Sequence, residues 1–96
     1  MADQCEEFCL NTVERITQVL ADKCPGWGED PAGLWQHAEE RQKPLYTAYQ
    51  KQERQMDEAW ACGNVAVMRK ACSEWGRSFV ELVKGYFKDM RGNHER

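Results

Sequence analysis

Three observations predict an all-α fold. Apolar residues recur at steps of three and four over long stretches, no strand-like alternation of period two is found, and only three prolines fall in 96 residues. From Met68 the apolar positions run through Cys72, Trp75, Phe79, Leu82, Tyr86 and Met90, one narrow helical seam. Reading back from Gly63, residues Trp60, Met56, Gln52, Tyr49, Leu45, Gln42, Ala38 and Trp35 form a second seam of the same period. Folded about Cys62-Gly63-Asn64, the seams face each other: Trp60 against Val67 or Met68, Met56 against Cys72, Tyr49 against Phe79, Leu45 against Leu82. The expected architecture is a long antiparallel helical hairpin plus a shorter N-terminal helix, a three-helix bundle forming a single domain over 1–96.

The first helix is expected over about 3–23. Asp3 is placed to cap it, Glu6 and Glu7 sit in its first turn, and Lys23 lies near its end, each favourable against the helix dipole. Its apolar face is Cys5, Phe8, Cys9, Thr12, Val13, Ile16, Val19 and Leu20. The run Cys24-Pro25-Gly26-Trp27-Gly28-Glu29-Asp30 breaks it, since Pro and Gly in such density cannot continue a helix. Trp27 either folds back over the end of the core or is offered to a partner. Asp30-Pro31 reads as cap and first residue of a second helix over 31–62. Pro44 removes one backbone donor and pushes Lys43 from α geometry, which predicts a kink or short break at 40–44. Gly63 ends that helix and Asn64 caps the third, over 64–91, leaving 92–96 as a polar tail. Gly76 and Gly85 weaken the third helix by about 1 kcal/mol each relative to Ala. Both are read as points of close approach by the first helix or a second copy.

Helix lengths point to an unfinished end. About 20 residues span roughly 30 Å, whereas the two hairpin helices span roughly 40 to 45 Å. An N-terminal helix running antiparallel to the second helix would leave the tip of the hairpin bare. Met56, Trp60, Val65, Val67 and Met68 cluster there, thioethers and an indole of the kind found at association surfaces. They either pack on one another across the hairpin or, with Trp27, dock a second protein or a second copy.

The formal charge of −3 hides an asymmetry. Residues 1–40 carry nine acids and two bases, a balance of −7, and residues 41–96 carry seven acids and eleven bases, a balance of +4. This suits internal pairing, head-to-tail association between copies, or presentation of one charged face to a partner. No apolar run is long enough to span a bilayer and the acidic N-terminus has no leader-like stretch, so a soluble cytoplasmic protein is expected. Five cysteines at irregular spacing form a poor disulfide framework there.

Chemical motifs are few. Cys5 and Cys9 share a helix face, and Cys24, His37 or His94 could complete a zinc site, but an apolar setting favours buried thiols, and no metal or other cofactor is expected. Cys62 and Cys72 enclose nine residues without a partner pair. Glu39-Glu40 and Asp57-Glu58 splay around a helix rather than converging, and no Ser or Cys has an evident base, so no catalytic residue is assigned and no small-molecule substrate is expected. Lys70, Arg77, Lys84 and Arg91 recur every seven residues as a basic stripe, a weak candidate for phosphate or nucleic acid that Glu74, Glu81 and Asp89 interrupt.

The run Ala61-Cys62-Gly63-Asn64-Val65-Ala66-Val67-Met68-Arg69, with Trp75 beyond it, resembles a stretch in the small helical anti-CRISPR proteins of phages. The likeness spans nine of 96 residues. It implies an inhibitor without enzymatic activity that binds a bacterial defence complex. The acidic face of the first helix, Glu6, Glu7 and Glu14, would then compete for a basic nucleic-acid channel. The other expectation is a homo-oligomeric structural or assembly component of a larger particle.

Overall fold

Pro44 divides what would otherwise be one helix. Its ring removes the N–H that would bond to Glu40 and crowds the carbonyl there. The chain therefore leaves helical geometry at Gln42 (φ −126°, ψ 38°) and restarts with Pro44 in the first turn. The computed structural model describes the backbone of residues 4–94 and the side chains of residues 4–90. It contains α1 (Gln4–Lys23), α2 (Pro31–Arg41), α3 (Lys43–Cys62) and α4 (Val65–His94). Among the described residues there is no strand. Three helices with a kinked second member are thus corrected to four helices with a complete break. The last helix also outruns its expected end near 91, since the backbone stays helical through Gly92 to His94. Asp3, expected as the first cap, and the side chain of Arg91 lie outside the described residues.

The break lets α2 fold back over α3. Trp35 and Tyr49 flank Gln42 by seven residues each and would stand about 21 Å apart on a continuous helix. Instead their rings stack at 5.4 Å with an interplanar angle of 16°. From there α2 also reaches α4: Leu34 packs with Val83, and Ala38 with Leu82. The Tyr86 hydroxyl donates to Asp30 Oδ2 (3.1 Å), the same carboxylate whose Oδ1 caps α2 by accepting from the Gly33 N–H (3.0 Å). At the break, the Gln42 amide donates to the Leu82 carbonyl (3.0 Å).

Helices α3 and α4 make the antiparallel hairpin, turned by Gly63 at φ 68°, a left-handed conformation that favours glycine. Asn64 Oδ1 then accepts from the Val67 N–H (3.2 Å) and starts α4. The seam holds Tyr49 against Phe79 (6.0 Å) and Trp75 (6.0 Å), with Trp75 on Phe79 (5.8 Å). The hydroxyl of the buried Ser78 donates to Gln52 Oε1 (2.7 Å).

Helix α1 lies mainly on α4 and runs parallel to it. Cys5 packs with Met68 and Cys72, Thr12 and Ile16 meet Gly76, and Leu20 packs with Val83. This corrects the expectation of a bare tip. Once Pro44 has cut the second rod, α3 is 20 residues long, the same as α1, so α1 reaches the far end of the hairpin. There Met56 (6 % exposed) and Met68 (0 %) are sealed by α1, α3 and α4 together.

Candidate docking groove

Two parallel helices that touch closely at one point leave a furrow beside the contact. The point here is Gly76, where a Cβ would stand 3.1 Å from Thr12 Cγ2 and 3.4 Å from Ile16 Cγ2. The furrow is a groove of about 460 Å³ between α1 and α4. Its floor is apolar, formed by Phe8, Ile16, Val19, Cys72 and Val80. Along α4 it extends from Arg69 to Glu81, twelve residue steps or about 18 Å.

Three guanidiniums rim it: Arg15 on α1, Arg69 and Arg77 on α4. Among the described residues none of the three makes an ion pair within 4 Å, and the Glu81 carboxylate at the end of the groove is engaged by Lys84 (3.9 Å). Arg69 instead stands over the Phe8 ring at 4.8 Å, a cation–π contact that fixes one wall. An apolar floor under unpaired positive charge suits an amphipathic, acidic ligand of helical width. It is a poor site for bond chemistry. No histidine lines it, and burial pushes the Cys72 thiol above its ordinary range, away from the nucleophilic thiolate.

The residues singled out from the sequence are distributed unevenly. At the tip, burial of Met56 and Met68 removes both from any accessible surface, which corrects their assignment to a docking group. Trp60 (40 % exposed) and Val67 (44 %) stay open and Val65 is half-buried. Val67 sits over the α3–α4 cleft with Gln55 and Ala59, and Trp60 projects about 140° round α3 from Gln55. Trp27 folds back onto the core edge-on to Phe79 (5.7 Å), and its other side lines a shallow pocket with Tyr86 and Met90. Glu6, Glu7 and Glu14 are exposed.

The basic stripe does not act as a unit. Lys70 turns to a cleft beside Gln55 and Glu74, Arg77 lines the α1–α4 groove, and Lys84 pairs with Glu81. Reasoning from heptad spacing missed Arg69 and Arg15. The available signal was Arg69-Ser73-Arg77, at steps of four, on the flank next to Cys72 and Gly76.

A second polar cluster escaped the sequence altogether. His37 Nε2 lies 2.6 Å from Asp89 Oδ2, and Gln42 Nε2 lies 3.3 Å from His37 Nδ1. With the amide donating to Nδ1, the other ring nitrogen carries the proton and donates to Asp89. Hydrogen bonding from His37, aided by the charges of Arg41 and Lys88, holds the Asp89 carboxyl below the usual range against a smaller desolvation penalty. Both ring nitrogens are thus engaged in tying the α2–α3 break to α4. Cys5, Cys9 and Cys72 gather in one apolar cluster with Met56 and Met68, Cys24 lies at the opposite end with Leu20 and Leu34, and Cys62 and Cys72 are not bonded to each other. Among the described residues no three His, Cys, Asp or Glu side chains are grouped to hold a metal ion, and no helix is long and apolar enough to cross a membrane. Compared with protein-family models, curated proteins and solved structures, the chain matches none.

Proposed function

We propose that the chain is a non-catalytic protein-interaction module that docks an acidic amphipathic helix in the α1–α4 groove. The supporting observation is the groove itself, three arginines without ion-pair partners among the described residues above an apolar floor about three helical turns long. Helix-in-groove recognition needs an apolar trough for the buried face of the ligand and charged walls that fix its register. Nucleic acid fits less well, because Lys70 faces another cleft and Lys84 is paired with Glu81. A labelled acidic amphipathic peptide of about three turns should bind the protein, and R69E/R77E should weaken it by roughly tenfold or more. Equal binding by both proteins would sink the proposal.

The narrower form is a phage-type inhibitor of a bacterial defence complex, working from the cytoplasm. It rests on the resemblance over residues 61–69, together with the exposed acids Glu6, Glu7 and Glu14 as a decoy for a basic channel. Titrating the protein into a purified effector complex tests it, and full effector activity at saturating protein would argue against it. A homo-oligomeric assembly component is the second reading, favoured by the exposed apolar residues on α1.

A further inference from the structure

The groove and a surface complementary to it are carried by the same chain. On α1, Glu6, Leu10, Val13 and Glu14 form one exposed face. Leu10 is 61 % exposed and Val13 41 %. The two acids are eight residues apart with the apolar pair between them, about 12 Å along the helix. On the wall of the groove, Arg69 and Arg77 are also eight residues apart, again about 12 Å, above the floor of Phe8 and Ile16. Spacing, sign of charge and apolar filling agree.

We infer that α1 of a second copy seats its Glu6, Leu10, Val13 and Glu14 face in the α1–α4 groove, so that copies associate head to tail. This deepens the reading of the groove as a helix-docking surface and rests on it. The position of the two surfaces fixes the kind of assembly. Leu10 and Val19, nine residues apart, project from opposite sides of α1. The face and the groove therefore point away from each other and do not form one self-complementary patch about a two-fold axis. Each junction is heterologous, and each added copy presents one free face and one free groove, so the assembly either closes into a ring or continues. The charge balance of −7 over residues 1–40 against +4 over the rest gives every junction the same favourable sense.

Sedimentation velocity of the full chain over a concentration series is the test. Average mass should climb past that of a dimer and fall back as salt is raised. E6R/E14R and R69E/R77E should each weaken association by roughly tenfold or more, and an equimolar mixture of the two should recover it. In the mixture one junction is native and the other reversed on both sides. Leu10→Ser, which alters an exposed position outside the core, should weaken association without any charge change, with far-UV circular dichroism reporting retained helix. A wild-type chain that stays monomeric throughout, or a mixture of folded variants that fails to recover, overturns the inference. If the acidic peptide still binds wild type and loses R69E/R77E in that case, docking stands and only self-docking falls. Loss of both takes down the groove as a docking surface.

Discussion

The two sides of α4 are packed by opposite means. Toward α2 and α3 it presents Trp75, Phe79 and Leu82, and the answering side chains are large: Trp35, Tyr46 and Tyr49 in a continuous ring stack, with Trp27 closing one end. Toward α1 it presents Cys72, Gly76 and Val80, and the answering side chains are Thr12, Ile16 and Val19. Big rings fill the space between helices whatever the crossing angle. Small residues let two backbones approach at one point and leave the flanks open. The same helix is therefore a core strut on one side and the wall of a groove on the other, and its stability should reside mostly on the ring side.

The sharpest way to break that contrast is to remove a ring. Phe79 meets four other aromatic side chains, so Phe79→Ala should cost about 3–5 kcal/mol of unfolding free energy. Ile16→Ala, on the half-open side, should cost about 2 kcal/mol, the low end for such a deletion. Urea unfolding of both variants measures the difference. Equal losses would mean that α1 is as deeply locked as α2 and α3, and that the groove is a poor place to seat a ligand.

How far the sequence revealed this depends on which force was acting. The facing of Tyr49 and Phe79 was legible, because a 3.6-residue period and one tight turn leave a single register. The place of the break was legible at Pro44 as well. Its angle was not, since it is set by Trp35 stacking on Tyr49, a contact between residues that a straight helix would separate. From that one angle follow the shortened hairpin arm, the reach of α1 and the burial of Met56 and Met68. The groove was hidden for a related reason. Arg69 and Lys70 are neighbours in sequence, and only the register of α1 on Gly76 decides that Arg69 faces the groove and Lys70 a different cleft.

Gly76 and Gly85 of α4 sharpen the contrast at about 1 kcal/mol, the helix-propensity gain expected for either Gly→Ala change. Gly76 was read as an approach point for α1, and that is where it lies. Gly85 was read the same way, but its neighbour is the Gln42 amide, whose Oε1 occupies the space a Cβ would take. Gly85→Ala therefore evicts the amide from the Leu82 carbonyl and from His37, losing about 1 kcal/mol per hydrogen bond and ending destabilised overall. Gly76→Ala meets only the methyl groups of Thr12 and Ile16 at 3.1 and 3.4 Å, so the gain and the squeeze roughly cancel. Thermal unfolding of the pair reads the sign. A stabilised Gly85→Ala would show that the Gln42 network does not hold the break.

The smallest effect concerns charge at that network. Hydrogen bonding from His37 lowers the Asp89 carboxyl in the folded state, so folding binds the carboxylate more favourably than the acid. The associated stability is present above the ordinary aspartate range and is lost as pH falls through the lowered folded value, where both states bind the proton. Asp89→Asn keeps an oxygen to accept from His37 but cannot titrate, so unfolding free energy measured from neutral pH downward should fall less steeply than in wild type, the two curves drawing together at the acid end. Because the Asp89 side chain is half exposed, solvent screens the interaction and the divergence at neutral pH should be slight compared with the loss of Phe79. Parallel curves would mean that His37 holds Asp89 by geometry alone and that the α2–α3 break is fixed by Trp35 and Gln42 without help from charge.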